Sequence, residues 1–239
     1  MRKTTKLLSA LMMVAALMTA CQVESLEKLD TVRTVKFSAG EAEATRTVFA
    51  SSGTGTKLPV LWTSNQDVRI FPSQFSGAIN APVVPSSDQK TASFTGEMSF
   101  STTARSAFYL LSPASVFSRH VSDKIVEINL PSSQTPTATS VDENAQVLVA
   151  STPVYRPVPE TVTLNPTHLT AYIALRLTDF TAAGKNPTVE VTSASAVLSG
   201  KAQYNYDDGT LTPDSESSSK KVSAPVLSAS KPVFLACLP

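Results

Sequence analysis

Val126-Glu127-Ile128-Asn129-Leu130 puts three branched apolar side chains on one side of an extended chain and two polar ones on the other. A repeat of two marks a strand buried on one face, because successive side chains leave a pleated backbone in opposite directions. The same period recurs before and after this stretch. Val35 and Phe37 alternate with Thr34, Lys36 and Ser38; Val68 and Ile70 flank Arg69; Ala92 and Phe94 alternate with Thr91, Ser93 and Thr95. Ala171, Ile173, Leu175 and Leu177 oppose Tyr172, Arg176 and Thr178, in a strand expected from Tyr172 to Asp179. Strands with one apolar and one wet face bury the apolar face by stacking as two sheets, so the expected class is an all-β sandwich.

Turn residues divide these strands into units. Asp207-Asp208-Gly209, between Tyr204-Asn205-Tyr206 and Thr210-Leu211, predicts a hairpin; an EF-hand calcium loop needs further ligands that are missing. Pro131-Ser132-Ser133-Gln134-Thr135-Pro136 closes one strand, and Pro153, Pro157 and Pro159 interrupt pairing again. A boundary is therefore expected near residue 160, dividing a domain at 47–160 from a second at 161–239. Ser215 to Ser219 reads as an exposed low-complexity loop, and Lys220-Lys221 as its solvated continuation.

The first 46 residues read differently. Arg2, Lys3 and Lys6 precede the apolar run Leu7 to Met18, which ends at Met18-Thr19-Ala20-Cys21. That order is a secretory signal over residues 1–20, too short for a permanent span, which needs about 20 apolar residues. Met-Thr-Ala-Cys resembles the bacterial lipobox, which makes Cys21 the lipidated first residue of the mature chain; the competing reading is a secreted protein with a chance cysteine at the junction. Each buried acyl methylene contributes about 0.8 kcal/mol, so several chains on one residue hold a protein on a membrane. The only other cysteine is Cys237, so no disulfide framework is available. The signal carries three of the 20 basic residues and none of the 19 acidic ones, which leaves 17 against 19 and a net charge of −2. Near-neutral charge argues against a nucleic-acid partner.

Catalytic groupings are absent from the pattern. The two histidines, His120 in Ser118-Arg119-His120 and His168 beside Leu169, have no second His or Cys at ligand spacing, so neither a zinc site nor another cofactor is expected. No nucleophile elbow, P-loop or dinucleotide-binding glycine pattern occurs, and the chain is not expected to be an enzyme. The single Trp and five Tyr are dispersed, which gives little support to the rival reading of a monomeric surface glycan-binding lipoprotein. Trp62 is expected in the core.

Several strings in order resemble the fimbrillin-like (Mfa-like) lipoproteins of Bacteroidetes. After the lipobox come Val35 to Ser38 and Ala44-Thr45-Arg46-Thr47, then Trp62-Thr63-Ser64-Asn65-Gln66-Asp67-Val68-Arg69-Ile70-Phe71, with Asn65 where the family commonly has glycine. Ala92-Ser93-Phe94-Thr95-Gly96, Leu130-Pro131-Ser132-Ser133-Gln134-Thr135 and Leu198-Ser199-Gly200 follow. The resemblance implies two tandem transthyretin-like β-sandwich domains and a surface-exposed lipoprotein of the outer membrane. It also implies fimbrial subunits that assemble by donor-strand exchange, support adhesion and touch a host or bacterial surface ligand. In that family an Arg-specific protease removes the N-terminal strand. The matching position here is Arg46, at the end of a lipidated segment 21–46, with Arg33 as competitor and a solvated loop arginine as the other reading. Family members continue past the equivalent of Leu238-Pro239, so the second domain is expected to be incomplete.

Replacing Cys21 with Ser is expected to abolish fatty-acid incorporation and to mislocalise the protein. Labelling with a clickable fatty acid checks this; equal incorporation in the variant contradicts it.

Overall fold

The computed structural model of the chain describes residues 31–40, 48–51, 54–57, 62–73, 77–100, 106–178, 186–228 and 231–239. The signal at 1–20, Cys21 and Arg46 lie outside the described residues. The strands run β1 (Thr31–Ala39), β2 (Val48–Ser51), β3 (Thr54–Lys57), β4 (Asp67–Pro72), β5 (Ile79–Pro82), β6 (Val84–Pro85) and β7 (Ala92–Phe100). They continue as β8 (Phe108–Ser112), β9 (Phe117–Ser122), β10 (Ile125–Leu130), β11 (Leu148–Ser151), β12 (Thr161–Leu164) and β13 (Thr167–His168). The last are β14 (Ala171–Leu175), β15 (Thr188–Thr192), β16 (Ser199–Asn205), β17 (Leu211–Ser219), β18 (Lys221–Pro225) and β19 (Val233–Cys237). Among the described residues there is no α-helix, and the fold is all-β.

Three larger sheets are stacked. An outer sheet has the order β12-β1-β7-β6, a central sheet β13-β11-β8-β4-β5, and a third β17-β16-β10-β9. Among the described residues, β14-β19, β15-β18 and β2-β3 form further two-stranded pairs. Alternation decides what each face meets. In the central sheet Val68, Ile70, Phe108, Leu110, Leu148 and Ala150 turn toward the outer sheet, where they pack with Val35, Phe37, Phe94, Val162 and Leu164. Phe71, Tyr109, Leu111 and Val149 of the same strands face the other way, onto Val126, Ile128, Leu130, Ala202 and Tyr204 of the third sheet. A third core joins Val233, Leu235 and Cys237 of β19 to Val222 and Ala224 of β18, with Ala171, Ile173 and Leu175 of β14 packed against it.

Several sequence expectations are changed by this arrangement. The strand expected from Tyr172 to Asp179 ends at Leu175, and Tyr172, placed on its wet face, packs against the second core. Ser215 to Ser219 lies within β17, where Ser218 and Ser219 pair with Gly200 and Ser199, while Ser215 to Ser217 fall in a shift of register. Only the register shift between Gly200 and Ala202 of β16 gives the segment around Asp214 room to loop out. Gly200 has φ +94°, and a side chain there meets the backbone oxygen of Ser217 at 2.6 Å, so both the backbone and the space require glycine. The Asp207-Asp208-Gly209 hairpin forms as expected, with Gly209 at φ +71°. Strand pairing crosses the boundary expected near residue 160 three times, since β12 joins β1, β13 joins β11 and β16 joins β10.

The proline-flanked segment after β10 does more than end a strand. Ser133 bridges Ser223 in parallel, and Gln134 N–H donates to Ser223 O at 2.8 Å. The Gln134 side chain, fully buried, then acts as a surrogate peptide group for the edge of β19. Its Nε2 donates to Ala236 O at 2.7 Å and its Oε1 accepts from Ala236 N–H at 2.8 Å. Without it both main-chain groups of Ala236 are left without these bonds in an apolar interior. Gln134→Ala is therefore expected to destabilise the fold by about 3 kcal/mol, as leaving two buried backbone groups unpaired requires, measured by urea denaturation. A loss below about 0.5 kcal/mol contradicts this role.

Candidate functional site

In the outer sheet β1 has a bonded neighbour on each edge. It lies inside its sheet, antiparallel to β7 through nine residue pairs from Thr31 with Phe100 to Ala39 with Ala92. On its other edge it runs parallel to β12, from Lys36 with Thr161 to Ala39 with Leu164. Lys36 N–H also donates to Glu160 O at 3.0 Å, and Gly40 N–H to Leu164 O at 3.4 Å. β1 is thus the main-chain link between β7 and β12.

Its side chains divide by period. Val35, Phe37 and Ala39 are each 1% exposed, while Thr34 and Lys36 face solvent. The Phe37 ring meets Phe108 edge-on at 5.3 Å between centroids, which ties β1 to the central sheet. Full burial of Val or Phe contributes roughly 1.5–3 kcal/mol each. Where β1 ends, an open depression of about 430 Å³ is lined by Ala39, Gly40, Val84, Pro85, Ala92 and Thr163. Val84, 58% exposed on the two-residue β6, forms its apolar rim.

The residues singled out in the sequence fall in separate places. Arg33 lies within β1 itself. Trp62 is 1% exposed, its ring 5.6 Å from Phe94 in an edge contact, as expected of a core anchor. Cys237 is a buried free thiol, 3.6 Å from Ala171 O, and burial pushes its pKa up. The His120 ring sits 5.0 Å from Phe71 and 4.8 Å from Phe117, and Arg69 lies 4.0 Å over the Phe117 ring. Burial, with the Arg69 charge added, lowers its pKa. Glu127, on the polar face of β10, has a side chain only 2% exposed. Arg119 and Lys201 cover it, at 2.9 and 3.4 Å. Hydrogen bonds from Arg119 and Ser118 hold its carboxyl below the usual range. Among the described residues, no three His, Cys, Asp or Glu side chains come together in a way that could hold a metal ion.

No family model matches the chain, and no curated protein matches it.

The sequence missed β12. Val162 and Leu164 alternate with Thr161 and Thr163, which is a legible strand signal, but the prolines just before it mark a boundary in the sequence pattern. A parallel partner more than 120 residues away, such as Thr163 beside Ser38, leaves no local mark in the sequence.

His168 gives the chain an acid-sensitive point. Its Nδ1 is 2.6 Å from the Tyr172 hydroxyl, which burial keeps protonated, so a neutral imidazole accepts that proton. Burial lowers the His168 pKa from 6.5 to about 4. The folded protein thus binds fewer protons than the unfolded chain between these values. Stability from this group is full above pH 6.5 and falls as the pH drops toward 4, by about 3 kcal/mol in all. His168→Gln is expected to flatten the stability profile over that window in denaturation measured at successive pH values; an unchanged slope contradicts it.

Proposed function

We propose that this chain is an outer-membrane lipoprotein, anchored through Cys21, that serves as a structural or accessory fimbrial subunit and assembles by strand exchange to support adhesion. The observation that carries this reading is β1. It precedes the segment with Arg46, fills an interior slot of an outer sheet, and is held there by backbone ladders on both edges. Removing it bares the facing edges of β7 and β12 and the space of three apolar side chains. Such an opening is what an extended segment of another chain recognises: main-chain hydrogen bonds supply affinity and alternate side-chain pockets supply selectivity. In this reading the receiving sandwich extends through Leu164, because β12 completes the slot. Trp62 is buried and offers no surface to a sugar ring, which disfavours the glycan-binding alternative.

Mild trypsin treatment of the folded lipoprotein is expected to cut first after Arg46, so that sequencing the new N-terminus gives Thr47. The sequence before Arg46, Gly40-Glu41-Ala42-Glu43-Ala44-Thr45, is made of the small and polar residues at which such nicking concentrates. A first cut only at Lys220 or Lys221 removes the physical basis for processing. Isolated surface filaments are expected to contain the chain starting at Thr47.

A further inference from the structure

If the slot of β1 receives a strand from another subunit, the residues β1 now presents define what that strand must look like. From this geometry we infer that the incoming partner is an extended segment reading apolar-x-aromatic-x-small, entering in the direction of β1. The inference rests on the strand-exchange reading and adds the chemistry of the partner to it.

Each requirement comes from a separate observation. The aromatic requirement comes from Phe37, which is 1% exposed, lies in register with Phe94 on one side and Val162 on the other, and meets the Phe108 ring. A smaller side chain at this point leaves a cavity against a sheet that is itself packed from behind. The requirement for a small residue comes from Ala39, also 1% exposed and in register with Ala92 and Leu164. Although the depression opens beside it, Ala39 belongs to the first core, and a longer side chain turned into that core displaces packed neighbours. Val35, in register with Gly96, sets the first apolar position. Direction follows from the ladders, because β1 is parallel to β12 and antiparallel to β7; a reversed strand must trade both hydrogen-bond patterns. Positions 34 and 36 face solvent and carry no requirement.

The test uses the full chain with a site-specific protease sequence placed between Gly40 and Val48. The nicked protein is unfolded in urea and refolded with an excess of fluorescent peptide of sequence Thr31 to Ala39, and bound label is measured after gel filtration. The native peptide and a Lys36→Glu peptide are expected to enter equally. Peptides with Phe37→Ala or Ala39→Leu are expected to bind at least about 30-fold more weakly, in line with core truncation and overpacking. The uncut chain, whose own β1 is tethered, is expected to exclude all of them. Equal entry of native, Phe37→Ala and Ala39→Leu peptides overturns the partner pattern while strand exchange stands. Failure of the native peptide to enter overturns the strand-exchange reading and the pattern with it.

Discussion

Burial of the central sheet on both faces is the constraint from which the other layers follow. All five residues of β8 are buried: Phe108 and Leu110 turn to one core, Tyr109 and Leu111 to the other. A strand of this composition has no wet face, so it needs a sheet on each side, and the outer and third sheets meet that need. Burying a large apolar side chain contributes roughly 1.5–3 kcal/mol, an upper estimate because unfolded chains already shield part of this surface. Four such residues in one short strand therefore exceed any surface ion pair in the molecule. β19 repeats the arrangement at the far end, with Phe234 and Ala236 in the second core and Val233, Leu235 and Cys237 in the third.

Stacked apolar layers leave polar groups to be satisfied inside, and a few side chains meet that demand. Tyr206 donates its hydroxyl to Leu110 O at 2.9 Å, joining the third sheet to the central one. Thr152 Oγ1 accepts from Phe108 N–H at 2.8 Å where that strand begins. Gln134 does the same for both main-chain groups of Ala236. These bonds fix which layer meets which, since an apolar core alone tolerates sliding whereas a buried donor left unpaired costs about 1–3 kcal/mol. The Glu127 carboxylate shows the same principle on the outside of the third sheet, where Arg119 and Lys201 compensate its burial.

Legibility in the sequence tracked the number of buried faces. β1, β7 and β10 each have one wet face, and Val35-x-Phe37, Ala92-x-Phe94 and Val126-x-Ile128-x-Leu130 announce themselves by alternation. Phe108-Tyr109-Leu110-Leu111 and Leu148-Val149-Ala150 are buried on both sides, so they carry no period and gave no signal of the layer between two cores. Polarity misled in the opposite sense at β17, whose Ser-rich end pairs through its backbone and needs no apolar side chain to do so. The candidate site was half legible for the same reason. β1 and its inward residues could be read, but its parallel pairing with β12 joins distant segments, and neither segment records the other.

The layer order also bears on which strand of this fold can be both structural and replaceable. β8 and β19 each serve two cores, so withdrawing either one opens both at once. β1 serves one core with three inward side chains, and its opposite face already meets water. Its contribution is large enough to hold the outer sheet together, yet its loss leaves the second and third cores covered by their own sheets. In the strand-exchange reading, another strand of like pattern takes that place and restores the same two ladders and the same three contacts. The physical requirement on any exchange device is therefore met best at the edge of the layered stack, and within that outer sheet it is met between β7 and β12.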